Sequence, residues 1–225
     1  MITGKEQFIA RVSGCLNRTT VLEKPTEFIY PHDMQHNYLA EASAQELLDT
    51  FVTNAQTVGI GIHQCNATDL GTTIIQIVQG LGGPVVLAND PLLAGETAEL
   101  LGHEIDDCHV WNPDVGREEN MTKAEGAKVG IAVAEMALAE SATSLLFSYP
   151  DNGRSVTLLP ENSLIVIRVE SIRPRLTQAM EMLLEQETLP SSVNFVSGPS
   201  STADIELVRV QGVHGPLELS YIIVG

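Results

Sequence analysis

Two short stretches near the carboxyl-terminal end hold the residues best suited to chemistry. Ser197-Gly198-Pro199-Ser200-Ser201-Thr202-Ala203-Asp204-Ile205-Glu206 joins small hydroxyls to two carboxylates, and Gly212-Val213-His214-Gly215-Pro216 follows shortly after. Small residues and glycines after a strand leave backbone N–H groups able to face an anion. That suits Gly198, Ser200, Ser201, Thr202, Gly212 and Gly215 to ligand binding, with Asp204, Glu206 and His214 placed for acid–base work. The same residues also read as a plain turn with solvated acids, and His214 as a hydrogen-bonded structural histidine.

A second candidate is the pair Glu135 and Glu140 in an otherwise apolar stretch. Carboxylates are rarely buried without partners, so an acid here either faces solvent or is held for a purpose. On a strand the odd spacing sets the two on opposite faces unless a turn intervenes. His32 and His36 sit four apart, which on a helix would present two metal ligands, but Pro31 favours a loop and no third ligand is evident. No metal or cofactor is therefore expected. P-loop, GxGxxG and GxSxG motifs are all missing.

The elements that must position these groups follow from hydrophobic spacing. Glu6 to Arg18 has helical periodicity, and Glu27 to His32 reads as a loop. Ser43 and Glu46 match a capping box, behind which Leu47, Leu48, Phe51, Val52, Ala55 and Val58 form one apolar face ending at Gly59. Strands are expected at 60–63, 84–88 and 108–111, with helices over 69–78 and 92–101 between them. Residues 126–148 fit either a buried helix or short buried strands. A strong strand at 163–169, a helix marked by Leu176, Met180, Leu183 and Leu184, and strands at 193–196 and 219–224 complete the sheet. The alternation predicts an α/β domain with a mostly parallel sheet flanked by helices over residues 51–225, behind a helical extension over 1–50.

The formal net charge is −17, and no Lys or Arg occurs from Pro25 through Gly116. So acidic a surface offers nucleic acid and anionic membranes no basic stripe. Arg154, Arg168, Arg173, Arg175 and Arg209 all lie in the last third, where an anionic small molecule would find its countercharge; Arg154 joins the ligand-binding candidates. Cys15, Cys65 and Cys108 form no CxxC pair, and an iron–sulphur cubane usually takes four thiolates, so the chain is not expected to carry electrons itself. No run is apolar enough to span a bilayer and no signal-peptide layout opens the chain, which makes the cytoplasm the expected location.

The paired segments 197–206 and 212–216 resemble the signature of the LUD-domain family, particularly its lactate utilization members. Gly130-Ile131 through Glu140-Ser141 and Arg154-Ser155-Val156-Thr157-Leu158-Leu159-Pro160 are similar to that family too. One departure stands out: the family usually reads Ala-Glu-Thr-Gly-Thr where this chain has Ala139-Glu140-Ser141-Ala142-Thr143, and loss of the glycine bears on any close backbone approach. The resemblance implies a fold like that of sugar-phosphate isomerases, CoA transferases and 5-formyltetrahydrofolate cyclo-ligase. It also implies a part in oxidising L-lactate to pyruvate beside iron–sulphur partner subunits. By analogy with the CoA transferases, Glu140 is the position for a nucleophile. Three roles follow: a non-redox subunit of a lactate-oxidising complex, a stand-alone acyl-transfer or ligase-type enzyme, or a regulator that binds an anionic metabolite.

Overall fold

The capping box read at Ser43 is present: the Glu46 N–H donates to Ser43 Oγ at 3.3 Å and the Ser43 N–H to Glu46 Oε2 at 2.8 Å. These bonds hold the Glu46 carboxyl below its ordinary range, the backbone N–H of Ser43 contributing most. The computed structural model describes residues 4–18, 33–203 and 209–225. The expected loop at 27–32, His32, Asp204 and Glu206 lie outside the described residues. The chain divides into two compact units, Met1–Met34 and Gln35–Gly225. The first contains helix α1 (Lys5–Cys15), which buries none of its residues.

A single helical turn, α2 (Met34–Asn37), begins at the last residue of the first unit, and in the second unit Leu48, Phe51 and Ala55 of α3 (Ala44–Thr57) face the core. The α/β alternation comes next: β1 (Gly61–Cys65), α4 (Leu70–Leu81), β2 (Val85–Leu87), α5 (Glu96–Glu104), β3 (Cys108–Val110), α6 (Arg117–Gly126) and β4 (Val129–Val133). After it come β5 (Met136–Leu138), β6 (Thr143–Ser148), α7 (Ser155–Leu158), β7 (Asn162–Arg168), β8 (Ile172–Arg173), α8 (Leu176–Glu185) and β9 (Ser192–Val196). A short hairpin of β10 (Ser201–Ala203) and β11 (Arg209–Gln211) precedes β12 (Glu218–Val224).

Six strands form a fully parallel sheet in the order β1-β12-β7-β4-β2-β3, with Ser163 opposite Leu219 and Leu164 opposite Ile131. Parallel sheets are buried on both faces, which explains the uninterrupted apolar run Leu164-Ile165-Val166-Ile167. Ile74, Val78 and Leu101 of α4 and α5 cover one face, packing on Leu87, Ile131, Leu164 and Ile222. Phe51, Ala124 and Val156 of α3, α6 and α7 cover the other, against Val86, Ala132, Ile165 and Tyr221.

Residues 126–148 resolve into strands. The chain passes through the centre of the large sheet as β4, then forms β5 and β6 of a second, four-stranded sheet ordered β8-β5-β6-β9. Alanine is abundant here because layers approach closely: a Cβ at Gly130 would lie 1.8 Å from the Val156 carbonyl oxygen. Residues 193–196 therefore do not complete the main sheet. As β9 they pair antiparallel with β6, Phe195 opposite Leu145. The helix expected over 92–101 is displaced to 96–104, because Asp90 Oδ1 accepts from the Leu92 N–H at 2.8 Å and holds a turn around Pro91. Among the described residues no helix is long and apolar enough to cross a membrane.

Candidate active site at the carboxyl edge of the sheet

In an open α/β sheet, ligands bind outside the carboxyl ends of the strands, where neighbouring strands send their connections to opposite faces. Here β2 leads into α5 on one face, while the adjacent β4 leads into the second sheet on the other. Asp90 follows β2, Glu135 follows β4, and Arg168 closes β7 on the far side of β4.

Arg168 Nη2 lies 3.7 Å from Asp90 Oδ1, and the Asp90 side chain is only 17% exposed. The Glu135 backbone is fixed by its N–H bond to the Leu145 carbonyl at 3.0 Å, while its side chain reaches solvent. Partial desolvation raises the Glu135 carboxyl above its ordinary value, the Asp90 charge raises it further, and Arg168 opposes both. The Tyr149 hydroxyl is raised as well, chiefly by burial and then by the Glu135 charge. One guanidinium thus serves two carboxylates, and the one left with less compensation binds protons more readily. Such an arrangement suits a small anion at Arg168 and proton transfer at Glu135.

Sequence reasoning singled out Glu135 and noted Arg168, but missed Asp90. The available signal was Asn89-Asp90-Pro91 directly after an apolar strand, a turn at a carboxyl edge. Glu135 and Glu140 flank opposite ends of β5, about 16 Å of extended chain apart, so they do not share a pocket.

Glu140 occupies the β5–β6 turn, where Oε2 accepts from Arg175 Nε at 3.0 Å. Asn54 Nδ2 donates to the Ala139 and Glu140 carbonyls at 2.8 and 3.1 Å, and the Arg175 guanidinium sits 5.5 Å over the Tyr38 ring. Ala142 has φ +50°, a left-handed backbone that glycine adopts more easily. This turn meets the start of the carboxyl-terminal signature, since Ser197 Oγ donates to the Ser141 carbonyl at 3.0 Å. Tyr221, fully buried, secures the junction: its hydroxyl lies 2.9 Å from the Ala142 carbonyl and 3.1 Å from that of Val196.

The signature itself is the β10–β11 hairpin and its base. The Ser200 N–H donates to the Pro216 carbonyl at 3.1 Å and the Gly212 N–H to the Ser200 carbonyl at 2.9 Å. Gly212 has φ +76°, and a Cβ there would lie 2.1 Å from Leu217 Cδ2, so glycine is required. Gly215 packs beside Ser200, Gly198 has φ +97°, and Ser201 and Thr202 lie in β10. His214 is exposed in the following turn. The hairpin base therefore gathers Gly198, Ser200, Gly212, His214 and Gly215, but not Glu140, and two of its N–H groups already have carbonyl partners. Arg154 lies elsewhere, lining a cavity of about 590 Å³ beside α6 and α7. His36 pairs with Glu181 Oε1 at 2.7 Å, and His109 with Asn120 Oδ1 at 2.9 Å.

The LUD domain family model matches residues 42–224. Lactate utilization protein C of Geobacillus thermodenitrificans is 34% identical over 233 residues, covering 99% of this chain and 97% of that protein. The protein of the same name from Bacillus subtilis gives the same identity and coverage. An uncharacterized protein of Escherichia coli, YkgG, is 36% identical over 97% of this chain and 96% of its own length. Among solved structures, a DUF162 family protein from Deinococcus radiodurans superposes with a TM-score of 0.60 at 19% identity, covering 81% of this chain and 99% of that one.

Proposed function

Because this chain belongs to the LUD domain family, we propose that it is a non-redox cytoplasmic subunit of a lactate utilization system, supporting the oxidation of L-lactate to pyruvate beside iron–sulphur partner proteins. The observation that carries this reading is near-full-length similarity, at 34% identity, to proteins named for lactate utilization. Oxidation of lactate releases two electrons and two protons. The acceptor proposed for the electrons lies outside this chain. Cys65 closes β1 and Cys108 opens β3, strands at opposite edges of the six-stranded sheet, so five spacings of about 4.8 Å set them roughly 24 Å apart. They cannot hold one cluster, which supports partners as the electron carriers.

The cluster of Asp90, Glu135 and Arg168 at the carboxyl edge of the sheet supports a part for the chain in that chemistry. Arg168 neutralises the substrate carboxylate and Glu135 takes the hydroxyl proton, while the C2–H bond breaks, its two electrons passing to the iron–sulphur partner proteins and its proton to solvent water as the C2–O double bond forms. The test is a host that retains the iron–sulphur partners but lacks this chain. Lactate-dependent dye reduction is lost and returns with the wild-type chain, while Arg168→Gln restores only a small fraction. Full-rate reduction without the chain overturns the proposal.

A second reading, a stand-alone acyl-transfer or ligase-type enzyme with Glu140 as nucleophile, is favoured by one observation. The Glu140 carboxylate is 36% exposed and held by Arg175 in the turn that meets the start of the carboxyl-terminal signature at Ser197. Under that reading Glu140→Gln abolishes turnover with the fold intact, and an unchanged rate removes it.

A further inference from the structure

Cations are scarce in this chain, and the company each one keeps separates them into two groups. Within Gln35–Gly225, Lys123 pairs with Asp107, Lys128 with Glu161, Arg168 with Asp90 and Arg175 with Glu140. Arg173 donates to the backbone carbonyls of Glu170 and Ile172. Among the described side chains of Gln35–Gly225 this leaves Arg117 and Arg154 without a carboxylate or carbonyl partner, and both line the same cavity beside α6 and α7. In a chain with 29 acidic residues, none of the residues lining that cavity is acidic. The cavity measures about 590 Å³, within the roughly 300–1,000 Å³ typical of small-molecule sites and far larger than an isolated inorganic anion requires. Tyr149 and Ser155 add hydroxyls to its wall, while Leu158 and Leu159, 41% and 42% exposed, add an apolar side.

We propose that this cavity binds a small organic phosphate, its phosphoryl group between Arg117 and Arg154 and its organic part against Leu158 and Leu159. A phosphate monoester carries about −1.5 to −2 charges near pH 7 and so matches two guanidiniums, whereas a single carboxylate leaves one uncompensated. Guanidiniums also grip phosphoryl oxygens in pairs. The lining includes none of Asp90, Glu135 and Arg168; Tyr149 of the lining senses the Glu135 charge, but Arg117 and Arg154 can be changed without altering any lactate-linked residue, so the two readings are tested separately.

Trp111 is the only tryptophan of the chain and lines the cavity, its indole N–H donating to the Pro150 carbonyl at 2.9 Å. Tryptophan fluorescence of the full chain, titrated in turn with phenyl phosphate, inorganic phosphate and L-lactate, tests the proposal. The expected result is a saturable change with phenyl phosphate, at least about tenfold weaker binding of inorganic phosphate, and no saturable response to lactate. Arg117→Gln and Arg154→Gln each weaken phenyl phosphate binding at least about tenfold, and the double variant abolishes it with an unchanged melting temperature in the absence of probe. Both side chains are exposed, so the variants retain the fold. No saturable change in wild type, or equal binding by the double variant, overturns the proposal. Inorganic and phenyl phosphate binding equally tightly overturns the apolar half of the site.

Discussion

Replacing Tyr221 by phenylalanine removes one oxygen from the point where three segments meet. The ring is fully buried and stacks on Phe51 at 5.3 Å between centroids, a contact that phenylalanine keeps. What is lost is the hydroxyl facing the Ala142 carbonyl at 2.9 Å and the Val196 carbonyl at 3.1 Å. One O–H can donate well to only one of them at a time, so one strong donated bond disappears together with the longer 3.5 Å contact to Ser144 Oγ, and a buried acceptor loses its donor. That costs about 1–3 kcal/mol. For a domain of this size each kcal/mol moves the melting temperature by about 2–4 °C, so Tyr221→Phe melts about 2–12 °C below wild type. Thermal unfolding followed by circular dichroism reads this directly, and a shift below about 1 °C would refute the role given to the hydroxyl. Alkali supplies a second arm. Burial pushes the Tyr221 phenol up to about 12, so folding favours the protonated form. The stability linked to that shift is complete below the unfolded value near 10 and is lost as pH rises from about 10 towards 12, and the phenylalanine variant lacks that part of the alkaline loss.

Three further outcomes follow from the same geometry. Arg168→Gln removes the cation that opposes the shift at Glu135, so the carboxyl of Glu135, followed by NMR titration, moves further up; a downward move contradicts the carboxyl-edge electrostatics. Gly130→Ala drives a methyl into the Val156 carbonyl and destabilises the chain by about 3 kcal/mol or prevents folding, whereas Gly80→Ala, in a helix with nothing within 4 Å, stabilises it by up to about 1 kcal/mol in urea denaturation. Ala142→Gly relieves about 1–2 kcal/mol of left-handed strain, but it costs about 0.5–1 kcal/mol in backbone entropy and about 0.8 kcal/mol for a buried methyl. The net change is therefore less than about 1 kcal/mol in either direction, and a larger effect in the same denaturation assay removes this account of how the chain tolerates alanine there.

Elements with strong local signals were legible in the sequence. The Ser43 capping box, the helix behind it and the apolar strands that became β2, β7 and β12 all follow from neighbours a few residues apart. Helix α6 was not legible, because Arg117-Glu118-Glu119-Asn120-Met121-Thr122 has no apolar period. It is anchored by buried Ala124 and by Asn120, which bonds His109, Asn112 and Gly116. The second sheet was hidden because the strands pairing with β6 and β5 at its outer sides, β9 and β8, come much later in the chain. The carboxyl-edge cluster depends on topology in the same way. Asp90, Glu135 and Arg168 share no local pattern and meet only because β2, β4 and β7 are neighbours. The carboxyl-terminal signature was visible as residues, but its pairing as a hairpin was not, since its serines and glycines read equally well as an open loop.

The most direct measurement is to express the tagged chain with iron–sulphur partner proteins of the kind proposed, purify it through the tag, and assay iron content and lactate-dependent dye reduction in the product. Copurified iron, with dye reduction that falls by at least about tenfold in Arg168→Gln while the iron content is unchanged, is the predicted result. Recovery of a colourless, iron-free protein, or full lactate-dependent reduction by the partners alone, would contradict it.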